Sequence, residues 1–255
     1  MPLAPLPSGR PPHVDPLCDA KWITNTLRQR GEELRVLCVG EPRELEAWLD
    51  PRTIRIRRIL GWTILTAAIY GTVIGSWRAP AQALFVAIKF PLLIVLTLTL
   101  NGLVNGVLAW RLGLGIGWGQ SFRLILISLT QVTILLASLS PVVLFLLFHL
   151  AAPDSDGGLR ARNHHLLANV ALIAIAGSLG VVRQLRLLEH LVGSAQRARR
   201  ILIAWFLGNG FLGCQLSWNL RPFFGEPNAP VQFLRERPFD GSFYEAVLHI
   251  VLSGR

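Results

Sequence analysis

Long apolar runs alternate with short arginine-rich or polar segments along most of this chain. Five runs are long enough to cross a membrane, at about 59–77, 82–110, 123–150, 165–182 and 201–219. A hydrocarbon core of about 30 Å needs about 20 apolar residues in helical conformation. The pattern therefore predicts an all-α, polytopic transmembrane helical bundle of five spans. The second run is predicted to be interrupted at "AIKFPLL", where Lys89 and Pro91 stand close together.

Four segments of different character follow from this pattern. Residues 1–18 are Pro-rich and are predicted to be disordered, because closely spaced prolines block helix formation. Residues 19–57 mix apolar and charged positions and predict a cytoplasmic helical segment at the membrane surface, with a short helix near 42–50. The five-span bundle occupies 58–219, and residues 220–255 form an extracytoplasmic tail with an interfacial helix.

Composition supports the membrane assignment and argues against nucleic acid as a partner. The chain is 52% hydrophobic and 16% charged, whereas roughly a quarter of residues are charged in soluble domains. Its net charge of +10 lies at the edges of apolar runs rather than on one basic face, so no nucleic-acid partner is expected. The three cysteines show no metal-ligand spacing, and neither a disulfide framework nor a zinc site is expected.

Arginine-rich flanks predict the orientation. They precede the first span, bracket the loop after the second and fill the loop after the fourth, so these three regions share the cytoplasmic side. The N-terminus is therefore predicted to be cytoplasmic and the C-terminus extracytoplasmic. No signal peptide is expected in the Pro-rich start, and the arginine-biased composition favours a bacterial inner membrane.

The C-terminal tail carries more aromatic residues than a polar tail needs. In "LSWNLRPFFGEPNAPVQFLRERPFDGSFYEAV" prolines favour an extended path, and the apolar side chains favour burial or the headgroup boundary. Two interpretations remain open: the tail caps its own bundle, or it docks a partner. The predicted contact residues are Trp218, Arg221, Phe223, Phe224, Phe233, Phe239, Phe243 and Tyr244.

A second set of candidate residues lies within the spans. Gly71 and Gly75 form GxxxG and predict close helix packing. Lys89 either extends to the headgroups or faces a cavity or an anionic lipid. Asn101 and Asn105 share a helical face and, with Gln131, are interpreted as interhelical packing groups or as a polar lining.

No motif indicates catalysis, and no catalytic residue, cofactor or metal site is predicted. The run "GLGIGWG" lacks the strand and the GK[ST] of a phosphate loop. Three histidines, His149, His164 and His165, stand near one end of the third and fourth spans without carboxylates at ligand spacing. The five spans contain no Asp or Glu, which argues against a proton-coupled pump.

Three stretches carry a family resemblance: "AIYGTVIGSW", "AIKFPLLIVLTLTL" and "LSWNLRPFFGEP" with "FLRERPFDGSFYEAV". Together they resemble a family of uncharacterised bacterial five-span membrane proteins over about 58–247. A cytoplasmic N-terminal region followed by five spans is also similar in topology to the Yip family of membrane-trafficking proteins, although the Asp-Leu-Tyr-Gly-Pro signature is missing. The first resemblance implies fold and compartment and carries no established activity.

These observations favour an integral membrane structural or accessory subunit. It would bind the lipid bilayer and other membrane proteins, in a hetero-oligomeric complex, through its spans and outer tail. The alternatives are a small oligomeric channel or transporter lined by Lys89, Asn101, Asn105 and Gln131, and an intramembrane enzyme, which the missing catalytic groups disfavour.

Overall fold

A computed structural model gives the fold of residues 16–50, 56–111, 117–227 and 229–253. The regular elements of these residues are all helices, which confirms the all-α prediction. In chain order they are α1 (Pro16–Val39), α2 (Pro42–Glu46), α3 (Ile56–Ser76), α4 (Pro80–Arg111), α5 (Trp118–His149), α6 (Gly158–Val192), α7 (Ala195–Asn219) and α8 (Phe243–Ser253).

Five of these helices, α3 to α7, are long and apolar enough to cross a membrane. The five-span prediction is therefore confirmed, and the chain is a multi-pass membrane protein. The predicted interruption of the second span is wrong, because α4 is helical on both sides of Pro91. Proline inside a transmembrane helix is tolerated where neighbouring helices satisfy the freed backbone groups.

The five spans run alternately up and down. α3 and α7 both begin at one end of the bundle, which we call the "α1 end". They finish at the opposite end, which we call the "tail end". α3 packs on α4 and α5, and α7 packs on α4 and α6. One buried cluster lies towards the α1 end around Leu124 and Trp205, and a second lies towards the tail end around Tyr70 and Phe90.

The contact between α3 and α4 depends on two glycines, as the GxxxG spacing indicates. A Cβ on Gly71 would lie 2.6 Å from the carbonyl oxygen of Val86, and one on Gly75 would lie 2.5 Å from that of Gln82. Both distances are shorter than the non-bonded contacts that Cβ atoms make in proteins. Only glycine lets the two backbones come this close.

Hydroxyl groups join α3 to α5 and α6 inside the bundle. The Oγ1 atoms of Thr63 and Thr130 are 2.7 Å apart, and the Thr66 hydroxyl donates to the Oγ1 of Thr133 at 2.9 Å. The Tyr70 hydroxyl donates to Oδ1 of Asn169 at 2.8 Å. Such bonds fix the register of adjacent spans, since lipid offers no competing partners.

The segment before the spans packs on the α1 end of the bundle. Leu37 of α1 and Leu45, Trp48 and Leu49 of the α2 region are buried in the same cluster as residues of α5, α6 and α7. α1 begins at Pro16, inside the stretch predicted to be disordered; residues 1–15 lie outside the described part. The short predicted helix near 42–50 is observed as α2, although it ends earlier, at Glu46.

The orientation remains a prediction that reporter fusions can test. The turn at Ser194 and helix α8 belong to opposite ends of α7. A reporter fused after Arg255 should be active only outside the cytoplasm, and one fused at Ser194 only inside. A cytoplasmic reporter signal after Arg255 would reverse the arginine-based assignment.

Candidate functional site

The tail folds back over the tail end of the bundle. After α7 ends at Asn219, the chain turns through a cis Arg221–Pro222 peptide and reaches Gly225, which has a φ of +70°. A Cβ on Gly225 would lie 2.8 Å from Cγ of Arg78, so the tail backbone rests directly on this side chain. Phe223 and Phe224 pack against the core cluster of the tail end. We call residues 220–242 the cap.

Lys89 is sealed beneath the cap. Its side chain is fully buried, and its Nζ donates to the carbonyl oxygen of Pro222 at 2.8 Å. The rings of Phe233 and Phe223 lie 5.0 and 6.0 Å from Nζ, within cation–π range. Lys89 therefore does not extend to the headgroups, which was one of the two predicted positions. It is buried, as in the other predicted position, but its ammonium group faces the backbone of the cap.

Gln82 stands on the same face of α4, two turns before Lys89. Its Nε2 donates to the carbonyl oxygens of Pro222 and Phe223, at 3.0 and 3.1 Å. Since turns two apart on a helix lie on one face, both side chains reach the same stretch of cap backbone. The three bonds satisfy carbonyls that would otherwise be buried without a donor.

Two arginines from the spans' ends hold the next part of the cap. Arg78 donates to the carbonyl oxygens of Glu226 and Ala229 and pairs with Asp154 at 3.2 Å. Arg162 of α6 donates to the carbonyl oxygen of Gly225 at 2.9 Å, and its terminal nitrogen lies 3.5 Å from the Glu226 carboxylate. Glu226 thus pairs with Arg162.

Two further arginines lie over one indole ring. The guanidinium carbon of Arg221 is 3.2 Å from the centre of the Trp218 ring, and that of Arg235 is 5.4 Å from it. Burial lowers the pKa of Arg221 from its ordinary value, and the positive charge of Arg235 lowers it further. Arginine side chains carry a positive charge in proteins, so two cations share this surface.

Gln82, Trp218 and the four arginines described above line a cavity of about 730 Å³. It lies between α4, α6, α7 and the cap. Its lining contains four arginines and one glutamate, with apolar side chains of α6 and α8 beside them; the charged residues are Arg78, Arg162, Arg221, Arg235 and Glu226. The cavity is therefore net positive, and its donors suit anions such as phosphate or carboxylate groups.

The predicted tail residues are mostly brought together here. Phe224 contacts the ring of His165, with centroids 5.2 Å apart, and Phe233 meets Phe85 at 5.4 Å. Phe243 and Tyr244 belong to α8 and pack on Trp218 and Phe211 of α7. Phe239 is separate, because 81% of its surface is exposed.

The predicted polar lining is divided between the two halves of the bundle. Asn101 is about 18 Å further along α4 than Lys89, at 1.5 Å per residue, and Asn105 follows it. Gln131 contacts the turn at Gly40, where a glycine Cβ would lie 2.8 Å from its Nε2. These three side chains are buried, but none lines the cavity at the tail end.

Asn101 and Asn105 do not make the interhelical hydrogen bonds that their spacing suggests. The Asn101 amide donates to Thr97 of its own helix, at 3.1 Å. Its Oδ1 and both amide atoms of Asn105 have no hydrogen-bond partner among the described residues. The bonds between spans come instead from the threonine pairs and from Tyr70.

The three candidate histidines do not converge. His165 is fully buried between the rings of Trp77 and Phe224, whereas His164 and His149 are exposed. Over the described ranges, no group of three or more His, Cys, Asp or Glu side chains is placed to hold a metal ion.

Sequence reasoning missed four residues of the site: Arg78, Gln82, Arg162 and Arg235. An arginine at the edge of a span has the same sequence signal whether it faces headgroups or protein. The available signal for Gln82 was a polar residue on the same helical face as Lys89.

Comparison with known proteins gives no relative, since no family model, curated protein or solved structure matches this chain. The fold defines the class, a five-span membrane protein, and a fold alone does not determine function.

Proposed function

We propose that this protein is a structural or accessory subunit of a bacterial inner-membrane complex, and that it binds partner membrane proteins or lipid through its spans and its cap. The ordered cap is the observation that supports this proposal. Buried donors from α4 and the charged ends of the spans fix its backbone. A surface fixed in this way is preorganised for docking, because less conformational entropy is lost on binding.

The surface beside the cap offers apolar area to a partner. α8 packs on α7 through Phe243 and Tyr244, whose hydroxyl donates to the carbonyl oxygen of Phe211 at 2.6 Å. On the outer side of α8, Leu248 and Leu252 are 57% and 76% exposed. α7 is the least buried of the five spans, so its free face also supports a contact with another membrane protein or with lipid.

A small oligomeric channel is the second candidate, and one observation favours it. Asn101, Asn105 and Gln131 place buried polar atoms in the half of the bundle towards the α1 end, and these atoms have no hydrogen-bond partner among the residues that the structure describes. Groups of this kind can line a water-filled path when protomers assemble. The cap disfavours this candidate, because Lys89 is sealed under Pro222 instead of facing an open lumen.

Partner capture tests the proposal. The tagged full-length chain, extracted in a mild detergent, should co-purify with a membrane protein at fixed stoichiometry. Leu248→Ser combined with Leu252→Ser should lower the recovery of that partner severalfold, since exposed apolar anchors dominate such contacts. Phe148→Ser is the matched control, because Phe148 is 84% exposed on α5, away from α8.

A chain that purifies alone from gentle extraction, and that conducts a solute when reconstituted in liposomes, would replace the accessory-subunit proposal with the channel.

A further inference from the structure

We infer that the cavity under the cap binds the phosphate group of an anionic phospholipid. This inference rests on the proposed function, since it names the lipid class that the same cap would take. The cavity's volume of about 730 Å³ exceeds what one phosphate needs, and its lining carries four arginines against one glutamate. A phosphate ester supplies the missing negative charge.

The four arginines divide into two pairs with different roles. Arg78 and Arg162 are engaged with the backbone of the cap and with Asp154 and Glu226. Their guanidinium groups therefore serve to hold the cap in place. Their charge still contributes to the potential of the cavity.

Arg221 and Arg235 have N–H donors that find no acceptor within the described chain. Arg221 donates from Nε to the carbonyl oxygen of Trp218, and its terminal nitrogens have no bond within the described chain. Arg235 uses one terminal nitrogen for the carbonyls of Pro238 and Asp240, and its Nε is buried without a partner there. A buried N–H group without an acceptor is costly, so an acceptor ligand at the Nε of Arg235 stabilises this arrangement.

The position of the second pair favours an anion between or beside its members. Both guanidinium groups lie over the ring of Trp218, so they repel each other across a short distance. Planar guanidinium forks bind phosphate oxygens with two parallel hydrogen bonds. A single phosphate can accept from both arginines and remove the repulsion.

The other wall of the cavity favours a lipid as the source of the phosphate. Leu166 and Val170, one turn apart on α6, line the cavity together with Phe243 of α8. Val170 is 53% exposed and lies on a membrane-spanning helix, so this apolar wall of the cavity is at a position that an acyl chain can reach. A phospholipid would place its headgroup at the arginines and a chain along α6, whereas free phosphate would leave the apolar wall unused.

Lipid retention tests this inference on the full chain. The protein is exchanged into mixed micelles with equal amounts of phosphatidylglycerol and phosphatidylcholine, and bound lipid is counted by native mass spectrometry. The native chain should retain phosphatidylglycerol in preference. Arg221→Gln with Arg235→Gln should reduce that preference about tenfold, as expected when charge-assisted hydrogen bonds are lost. Arg237→Gln is the matched control, because its side chain is 83% exposed in the same cap.

Arg235→Gln alone provides a second variant if the double variant does not fold, since it leaves the contact of Arg221 with Trp218 in place. A separate arm titrates inorganic phosphate and follows the melting temperature. A larger rise with phosphatidylglycerol than with inorganic phosphate supports a lipid; an equal rise overturns the lipid assignment.

Two further results would overturn the inference: equal retention of the two lipids by the native chain, or an unchanged preference in the double and single variants. Partner capture is a separate readout. A chain that captures its partner but shows no lipid preference contradicts this inference and leaves the proposed function standing.

Discussion

Gly75→Ala is expected to lower the free energy of unfolding by about 1 to 3 kcal/mol, the usual cost of overpacking a closely packed core. The added methyl group would lie 2.5 Å from the carbonyl oxygen of Gln82 and 2.7 Å from Cα of Ala83. Both obstacles are backbone atoms, which cannot rotate away. The two helices would have to separate, and contacts along α3 and α4 would weaken. Thermal unfolding in a membrane mimic measures the effect.

Gly61→Ala is the matched control on the same helix. A Cβ at Gly61 would meet nothing within 4 Å, so this change should be neutral or slightly stabilising, because alanine favours a helix over glycine. Equal melting temperatures for the two variants would mean that α3 and α4 are not in backbone contact at Gly75.

Removal of residues 220–255 is expected to destabilise the bundle by more than any single change in the cap. It leaves the buried ammonium of Lys89 without Pro222, and a hydrogen bond to a charged group contributes about 1.5 to 3 kcal/mol. It also exposes the core surface that Phe223 and Phe224 cover. The five spans should still insert, since their apolar length is unchanged.

A double-mutant cycle isolates the part due to Lys89. Unfolding is measured for the native chain, the truncated chain, Lys89→Met and the combination. Lys89→Met should make truncation less costly by about 1.5 to 3 kcal/mol, because no buried charge then loses its acceptor. Ile88→Met, at a neighbouring position that is 52% exposed, should be additive with truncation. Additivity for Lys89→Met as well would show that its bond to the cap does not stabilise the fold.

The spans could be predicted from sequence because their length and apolarity follow from the thickness of a bilayer. The close approach at Gly71 and Gly75 could also be predicted, since small residues four apart permit it. The identity of the helix that packs on these two glycines could not be predicted, because every span offers a similar apolar surface.

The site was harder to predict for a physical reason. Lys89 donates to the backbone of Pro222, and a carbonyl acceptor has no residue-specific signal in the sequence. No sequence signal singled out Arg78 or Arg162, yet both donate hydrogen bonds to the backbone of the cap. Asn101 and Asn105 resembled interhelical groups, but the hydrogen bonds between spans fall on threonines and Tyr70.

The hydrogen bond between Lys89 and Pro222 can form only late in the synthesis of the chain. The two residues are 133 positions apart, so the ribosome releases the cation long before its acceptor exists. At about 5 to 20 residues per second, the second span waits several seconds or more with an incompletely buried charge. A newly made chain therefore passes through a stage in which four spans are inserted but the cap that covers them has not yet been made. That stage is where an insertion chaperone or a membrane protease would distinguish finished molecules from unfinished ones.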